Sequence, residues 1–386
     1  MKTFYELYEE LQEERYFERL ALEPLAQFGS EQQPFLGARL MPERVVSENA
    51  YEETQVRYRT KPALDNNRYS PTQKQANSAL VGSFRVDLGH TDTRKDLTGK
   101  EYDDLRKLLM RGGDMQAMAS VLRWIDKELV LPHTLKNEIQ RWQAWLLASV
   151  TRETANGEME RVEYYRPQDH IVTVPGGTTA SPQGWHLTTY DPFDDIEAGV
   201  EKLLGLGYQL TGMYATPALA KVLRLNGEVI KRNGRSIPND TAQPTRVNNN
   251  ILNGLLDDEG YTGLTTYNGG YESETGFKRF MDVEAGYDYL LMTGGTTRQY
   301  DLASDYAGAS ADPSNFTDGA IVLNDTLGYY AVGRNGGKDS SGRTIHTWMM
   351  DKKPVGMAGE SYQTGLPVIT DPQAYYVIRV QKPTAA

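Results

Sequence analysis

The chain has 386 residues, with 41 Lys or Arg against 52 Asp or Glu, a formal net charge of −11. That length allows two or three compact units, and the absence of cysteine excludes disulfides, thiolate zinc sites and thiol nucleophiles. The acidic balance argues against general nucleic-acid binding, which needs a basic surface, and no apolar run approaches the roughly 20 residues that span a bilayer.

The chain starts Met1-Lys2-Thr3-Phe4-Tyr5-Glu6, turning acidic at once without the apolar core of a secretory signal. With no cysteine, this fits folding in a reducing compartment. Tyr is frequent, at 24 residues against 9 Phe, and Gly reaches 36. Tyr is favoured at interfaces for its apolar area and polar tip, and is also common in β-structure; composition leaves both readings open.

Residues 3–28 read as a helical arm in which Phe4, Leu7, Leu11, Phe17, Leu20 and Leu22 are separated by glutamates, with Gly29-Ser30 as its end. The narrow apolar strip predicts packing on a neighbour or partner; a frayed terminal helix is the alternative. Residues 35–100 show little helical periodicity. Gln55–Arg59 and Phe84–Leu88 alternate like two strands, joined by the polar stretch 62–79. This predicts an extended hairpin. From 55 to 95 there are eight basic residues (Arg57, Arg59, Lys61, Arg68, Lys74, Arg85, Arg94, Lys95) against Asp65, Asp87 and Asp92, a local +5. A basic projecting arm on an acidic chain suits contact with another copy, and an ordinary solvated hairpin is the competing reading.

Met115, Met118, Leu122, Ile125 and Leu129 recur at helical spacing, and Leu135, Ile139, Trp142, Leu146 and Val150 resume it after Pro132. Proline is tolerated in a first turn and not mid-helix, so two helices are predicted, 114–130 and 132–152. Their Met and Trp positions read as core packing. Asn156-Gly157 then predicts a turn into a strand at 159–165. A linker rich in Gly, Pro and Ser, 175–184, precedes a second domain over 190–335.

That domain is expected to open with a helix at 192–205. A strand at 208–214 follows, then helices from Thr216-Pro217 to Asn226-Gly227 and over 245–257. Strands are expected at 263–267, 276–283, 287–293, 319–323 and 328–332, with a polar loop from 294 to 318. The run Ala374–Val380 reads as a strand returning to the first domain's sheet. No internal repeat is evident.

The segment Thr189-Tyr190-Asp191-Pro192-Phe193-Asp194-Asp195-Ile196-Glu197-Ala198 carries the densest signal. Asp191 suits an N-cap and Pro192 the first helical position. Asp194, Asp195 and Glu197 place negative charge at the positive end of the helix dipole. As paired carboxylates these acids also suit glycoside hydrolysis, but helix initiation accounts for all of them. His90, His133, His170, His186 and His346 are far apart in sequence and show no metal-ligand spacing. Gly176-Gly177-Thr178-Thr179 and Gly294-Gly295-Thr296-Thr297 lack the lysine of a phosphate loop and read as turns. No catalytic residue, cofactor or metal is therefore expected, and self-association becomes the default.

Tyr190–Ala198 also resembles the Tyr-Asp-Pro-x-Asp-Asp-Ile-Glu-Ala segment of lambda-like major capsid proteins of tailed bacteriophages (the major capsid protein E family). The order around it agrees, with a long arm, a spine helix, the strand 160–165 and then Tyr214-Ala-Thr-Pro-Ala-Leu-Ala. The closing Thr370-Asp371-Pro372 before Ala374–Val380 is similar to the family's last strand. Residues 1–30 and 240–310 have no such match. The resemblance implies an α+β fold of the Hong Kong 97 type. It divides the chain into an N-terminal arm (1–50), an E-loop (51–100), a P domain (101–189, spine helix 132–152), an A domain (190–335) and a return to the P domain (336–386).

What the resemblance further implies is a non-enzymatic shell subunit. It would form pentamers and hexamers of an icosahedral head around double-stranded DNA, without reading its sequence. Scaffold, a portal at one vertex and a decoration or cement protein would be further partners, with no membrane. Assembly would occur in the bacterial cytoplasm, and the product would be the virion shell. Inter-subunit contacts would come from Arg57, Arg59, Lys61, Arg68, Lys74 and Arg85. Lys61 and Lys74 are the positions for a covalent cross-link of the kind some members make. Two alternatives stand beside this: an encapsulin-like cellular compartment and, more remotely, a carbohydrate-active hydrolase.

Overall fold

The computed structural model describes residues 4–13, 35–46, 50–58, 79–110, 114–153, 159–235, 246–273, 276–295, 328–334, 342–350 and 355–384. In chain order these form α1 (Phe4–Glu13), α2 (Leu36–Leu40), β1 (Glu43–Val45), β2 (Ala50–Tyr58), β3 (Ala79–Asp87) and β4 (Gly89–Thr98). Next come α3 (Lys100–Met110), α4 (Asp114–Ile125), a π-helical turn (Asp126–Val130), α5 (Leu131–Leu147), β5 (Ser149–Glu153), β6 (Met159–Glu163) and β7 (Ile171–Val174). α6 (Pro192–Gly205), β8 (Gln209–Ala215), α7 (Pro217–Leu225), α8 (Gly227–Arg235), α9 (Asn249–Asp258), β9 (Leu264–Thr266), β10 (Gly270–Ser273) and β11 (Gly276–Arg279) follow. The last strands are β12 (Tyr287–Gly295), β13 (Gly328–Val332), β14 (Thr344–Met350), β15 (Gly356–Ile369) and β16 (Tyr375–Gln381). The fold is α+β.

Two compact units result. The first comprises Met1–Pro24, Arg44–Val130 and Ala331–Leu366. Its sheet is centred on β15, which pairs antiparallel with β14 on one side and β4 on the other, and continues through β13 to β1. Against it lies a core of Leu97, Leu105, Leu109, Val121, Ile125, Leu129 and Met357. Gly359 passes beneath the π-helical turn, where a Cβ would meet Leu129 Cδ1 at 2.5 Å.

α1 belongs to this core. Leu7 and Leu11, four apart and on one face, are fully buried in it. The expected docking of the arm on a neighbour is therefore corrected for these residues: the leucines satisfy their apolar surface within their own unit. Residues 14–34 of the predicted arm lie outside the described residues.

β2 and β3 form a separate two-stranded ribbon in continuous antiparallel register, from Ala50↔Asp87 to Tyr58↔Ala79. The expected hairpin strands are thus paired. The ribbon ends at Asp87, because residues 89–98 are taken up as β4 by ladder bonds to β15.

The second unit comprises Leu25–Glu43, Leu131–Tyr330 and Pro367–Ala386. Its sheet has the order β7-β16-β12-β8-β9, antiparallel in the middle and parallel at both ends. β12 is buried from Asp288 to Gly295, as a central strand covered on both faces should be. α6 lies on this sheet through Phe193, Ile196, Val200 and Leu203. Gly199 allows the approach, since a Cβ there would stand 2.9 Å from the Tyr376 ring and 3.0 Å from Met292 Sδ.

The C-terminal strand pairs on both sides. β16 pairs parallel with β7 and antiparallel with β12. It sits in the middle of a sheet whose strands come from both sides of residue 190, so the backbone pairing does not divide there.

The predicted boundary at Pro132 is met by a π-helical turn rather than a gap. α4, the π-helical turn and α5 adjoin without interruption, and α5 ends at Leu147 rather than 152. Pro132 has no N–H for the carbonyl one turn back, and a widened turn absorbs that loss. Ser361 Oγ donates to Leu129 O in this turn at 2.7 Å. At the other end Ala148 adopts φ 50°, and Arg166 Nη1 donates to the carbonyls of Trp145 and Leu146 at 3.0 and 3.1 Å. The chain then turns into β5, which pairs with β6; the Asn156-Gly157 turn lies outside the described residues.

Candidate functional site

The start of α6 gathers more polar contacts than any length of helix needs. Asp191 Oδ1 accepts from Phe193 N at 3.0 Å, and Pro192 opens the helix. This is the N-cap the sequence predicts. Asp191 Oδ2 accepts from Arg232 Nε and Nη2 at 3.1 and 2.7 Å, a two-pronged ion pair from α8. The same guanidinium lies 4.6 Å from the Phe193 ring centroid and donates to Glu259 at 2.7 Å.

Asp195 is engaged on one oxygen. Its Oδ2 accepts from Trp185 Nε1 at 2.7 Å and from Tyr190 OH at 2.9 Å. Burial and, after it, the bond to Asp195 push the Tyr190 hydroxyl up to about 12. Asn226 closes the loop from the far side. Its Nδ2 donates to the carbonyls of Trp185, Leu187 and Tyr190 at 3.2, 3.2 and 3.0 Å, while its Oδ1 accepts from Glu228 N at 2.9 Å. Gly227 follows because the Thr188 carbonyl passes within 2.4 Å of where a Cβ would lie.

Pro192 is buried, whereas Asp194 and Glu197 are exposed on the first turns of α6. The acids are thus split. Two are consumed by a capping and hydrogen-bonding knot and two face solvent beside the helix N-terminus. Sequence reasoning placed Asp191 and Pro192 and missed Trp185, Asn226 and Arg232. These reach the site from 10 to 41 residues away, and only an Asn before a Gly at a helix start hinted at one of them.

The histidines stay dispersed in role. His170 Nδ1 lies 2.9 Å from Tyr375 O, His90 Nδ1 3.1 Å from Thr364 Oγ1, and His346 stacks obliquely on Tyr362 at 5.5 Å. Among the described residues no group of three or more His, Asp or Glu is placed to hold a metal. Gly176-Gly177 forms a tight turn, with Gly177 at φ 66° and Thr178 bonded to Ser181. Gly294 lies within β12. Among the described residues neither Gly-Gly pair opens a helix. Among the described residues no helix is long and apolar enough to cross a membrane.

Of the predicted contact residues, Arg57 lies on β2 and Arg85 on β3, opposite Leu80 and Glu52 in register. Arg59, Lys61, Arg68 and Lys74 lie outside the described residues.

No protein-family model matches the chain, and no curated protein sequence matches it. Among solved structures it is similar to a phage-related protein from Bordetella bronchiseptica RB50, at 14% identity and TM-score 0.48 over 94% of this chain and 95% of that one. It is similar to a putative prophage capsid protein from Escherichia coli CFT073, at 14% identity and TM-score 0.48 over 95% and 98%. It is also similar to the SrpI encapsulin of Synechococcus elongatus PCC 7942, at 11% identity and TM-score 0.39 over 93% and 95%.

Proposed function

We propose that this chain is the major capsid protein of a tailed bacteriophage, a Hong Kong 97-type shell subunit of the class Caudoviricetes. The observation that carries the reading is the β2–β3 ribbon. Nine consecutive cross-strand pairs form a sheet that, among the described strands, pairs with nothing else. A two-stranded ribbon is marginal in water by itself, so its backbone edges call for a partner. The sequence around it is locally basic on an acidic chain, which favours another copy as that partner.

The knot at α6 supports the same reading from the negative side. Asp191 and Asp195, the acids best placed for catalysis, already hold an ion pair, a cap and two hydrogen bonds. In this reading the motif is a structural joint and the chain is not an enzyme. Residues 1–50, 51–100, 101–189 with 336–386, and 190–335 serve as arm, E-loop, P domain and A domain. Copies assemble into pentamers and hexamers around double-stranded DNA. Assembly takes place in the host cytoplasm on a scaffold, with a portal at one vertex and a decoration protein on the finished virion.

Electron microscopy of the expressed protein tests this, alone and with its scaffold. Icosahedral shells are the expected result, and persistent absence of shells in both conditions overturns the reading. Shells that take up a protein cargo and no DNA would indicate an encapsulin-like compartment instead.

A further inference from the structure

β14 is the last strand in its sheet order and pairs with β15 alone among the described strands. Its seven residues, Thr344-Ile-His-Thr-Trp-Met-Met350, include no Lys, Asp, Glu or Pro. Those are the residues that usually protect a sheet edge from strand addition. Something else must therefore guard it.

The guard is α1. Tyr8 OH donates to Thr347 O at 2.5 Å and lies 3.1 Å from Thr347 Oγ1, while Gln12 Nε2 donates to the same hydroxyl at 3.0 Å. The Thr347 carbonyl therefore points away from β15. In an antiparallel strand a residue's N–H and C=O share a side, so its N–H points outward as well. The described part of the helix that covers this backbone runs from Phe4 to Glu13. Its seat depends on Leu7, Tyr8 and Leu11. A single element opens locally at lower cost than its whole unit unfolds.

The same unit supplies a matching strand. β2 and β3 are nine residues each, and their outer edges are unpaired among the described strands. We propose that the outer edge of β14 is a strand-addition site for the β2–β3 ribbon of a second copy, and that α1 closes it in the free subunit. This rests on the reading of the chain as a self-assembling subunit. A third strand turns a marginal ribbon into a supported sheet, and main-chain hydrogen bonds supply the affinity.

The test uses full-length variants and reads self-association in solution by light scattering, with hydrogen exchange of residues 344–350. Tyr8→Phe keeps the ring and removes the hydroxyl that holds Thr347. It is expected to strengthen association by roughly tenfold, the equivalent of about one hydrogen bond, and to protect β14 as association proceeds. Adding Thr347→Pro removes the outward N–H without touching the ladder to β15 and should cancel the gain. Replacing the ribbon with a Gly/Ser linker in the Tyr8→Phe background should cancel it too. Association that persists in the Thr347→Pro double variant overturns the site. Persistence without the ribbon overturns the occupant and points to a second β14. If Thr347→Pro fails to fold, Thr347→Lys blunts the same edge with a charge and carries the same outcomes. Wild-type protein that makes no shells would remove the capsid reading, whereas the contrast among these variants is read without shells.

Discussion

At the scale of single residues, burial decides which polar groups matter. Asp195 holds two donors, Trp185 Nε1 and Tyr190 OH. Removing the acceptor leaves both without it at a partly desolvated site, at a cost of about 1–3 kcal/mol for each. Asp195→Ala is therefore expected to lower stability by about 2–4 kcal/mol in urea denaturation, whereas exposed Asp194→Ala should stay within about 0.5 kcal/mol. A loss confined to activity on a carbohydrate, with stability unchanged, would favour the hydrolase alternative. Tyr375 presents the opposite case. Its hydroxyl is buried with no hydrogen-bond partner among the described residues, and burial pushes it up to about 12. An unfolded tyrosine ionises near 10. Between those values the unfolded chain gives up a proton that the native state keeps, so stability falls as pH rises, by about 1.4 kcal/mol per pH unit for this group. Below pH ~10 both states are protonated and nothing is lost. Tyr190, also raised, acts in the same direction. Tyr375→Phe should be neutral or stabilising at neutral pH and should flatten the alkaline limb of the unfolding curve. An unchanged limb would contradict this.

At the scale of elements, ends carry the information that sequence patterning reads best and worst. The helix 192–205 was legible to the residue, because Asp191 and Pro192 are local signals and act within one turn. The strand 328–332 and the helix from Pro217 were equally plain. β14 and β15 were not. β15 is buried on nearly every residue and is rich in Gly, so it shows no alternation to count. The end of α5 was also hidden: Val150 continues the helical spacing, but the backbone leaves the helix at Ala148 with φ 50°. A left-handed conformation costs an L-residue about 1–2 kcal/mol. Ala148→Gly relieves it, less the entropy glycine adds to the unfolded chain, for a net gain of about 0.5–1 kcal/mol. Thermal unfolding should show a raised midpoint, and a lowered one would place the strain elsewhere. Thr216 offers the converse test. Its Oγ1 accepts from Leu219 N at 3.2 Å and donates to Asp288 at 3.1 Å. Thr216→Ala should cost about 1–2 kcal/mol, more than a solvent-facing cap would.

At the scale of the whole molecule, the question is which part of the chain is spent on its own fold and which is kept for a partner. The sheet of each unit is built from strands distant in sequence, around central strands β15 and β12 that are buried along most of their length. The β2–β3 ribbon, like the shorter β5–β6 and β10–β11 pairs, stands outside both sheets. It uses residues 50–58 and 79–87 and contributes no strand to either larger sheet. Its limits matter for any deletion, since residues 89–98 are ladder partners of β15 and their loss would damage the first unit itself. Replacing 51–86 with a short Gly/Ser linker is therefore expected to leave a folded subunit with unchanged secondary structure and no shells by electron microscopy. Normal shells from this variant would refute the assignment of the ribbon to inter-subunit contact. Charge adds a graded version of the same test. Residues 55–95 carry a local +5 on a chain of −11, and contacts between exposed opposite charges weaken as the screening length falls from about 10 Å at 0.1 M salt to about 3 Å at 1 M. Assembly yield should thus decline with added salt. Neutralising Arg57 and Arg85 together should lower the yield at low salt and reduce its salt dependence. A yield that rises with salt, and is indifferent to these arginines, would mean that apolar burial drives association and that the basic arm is only a solvated surface.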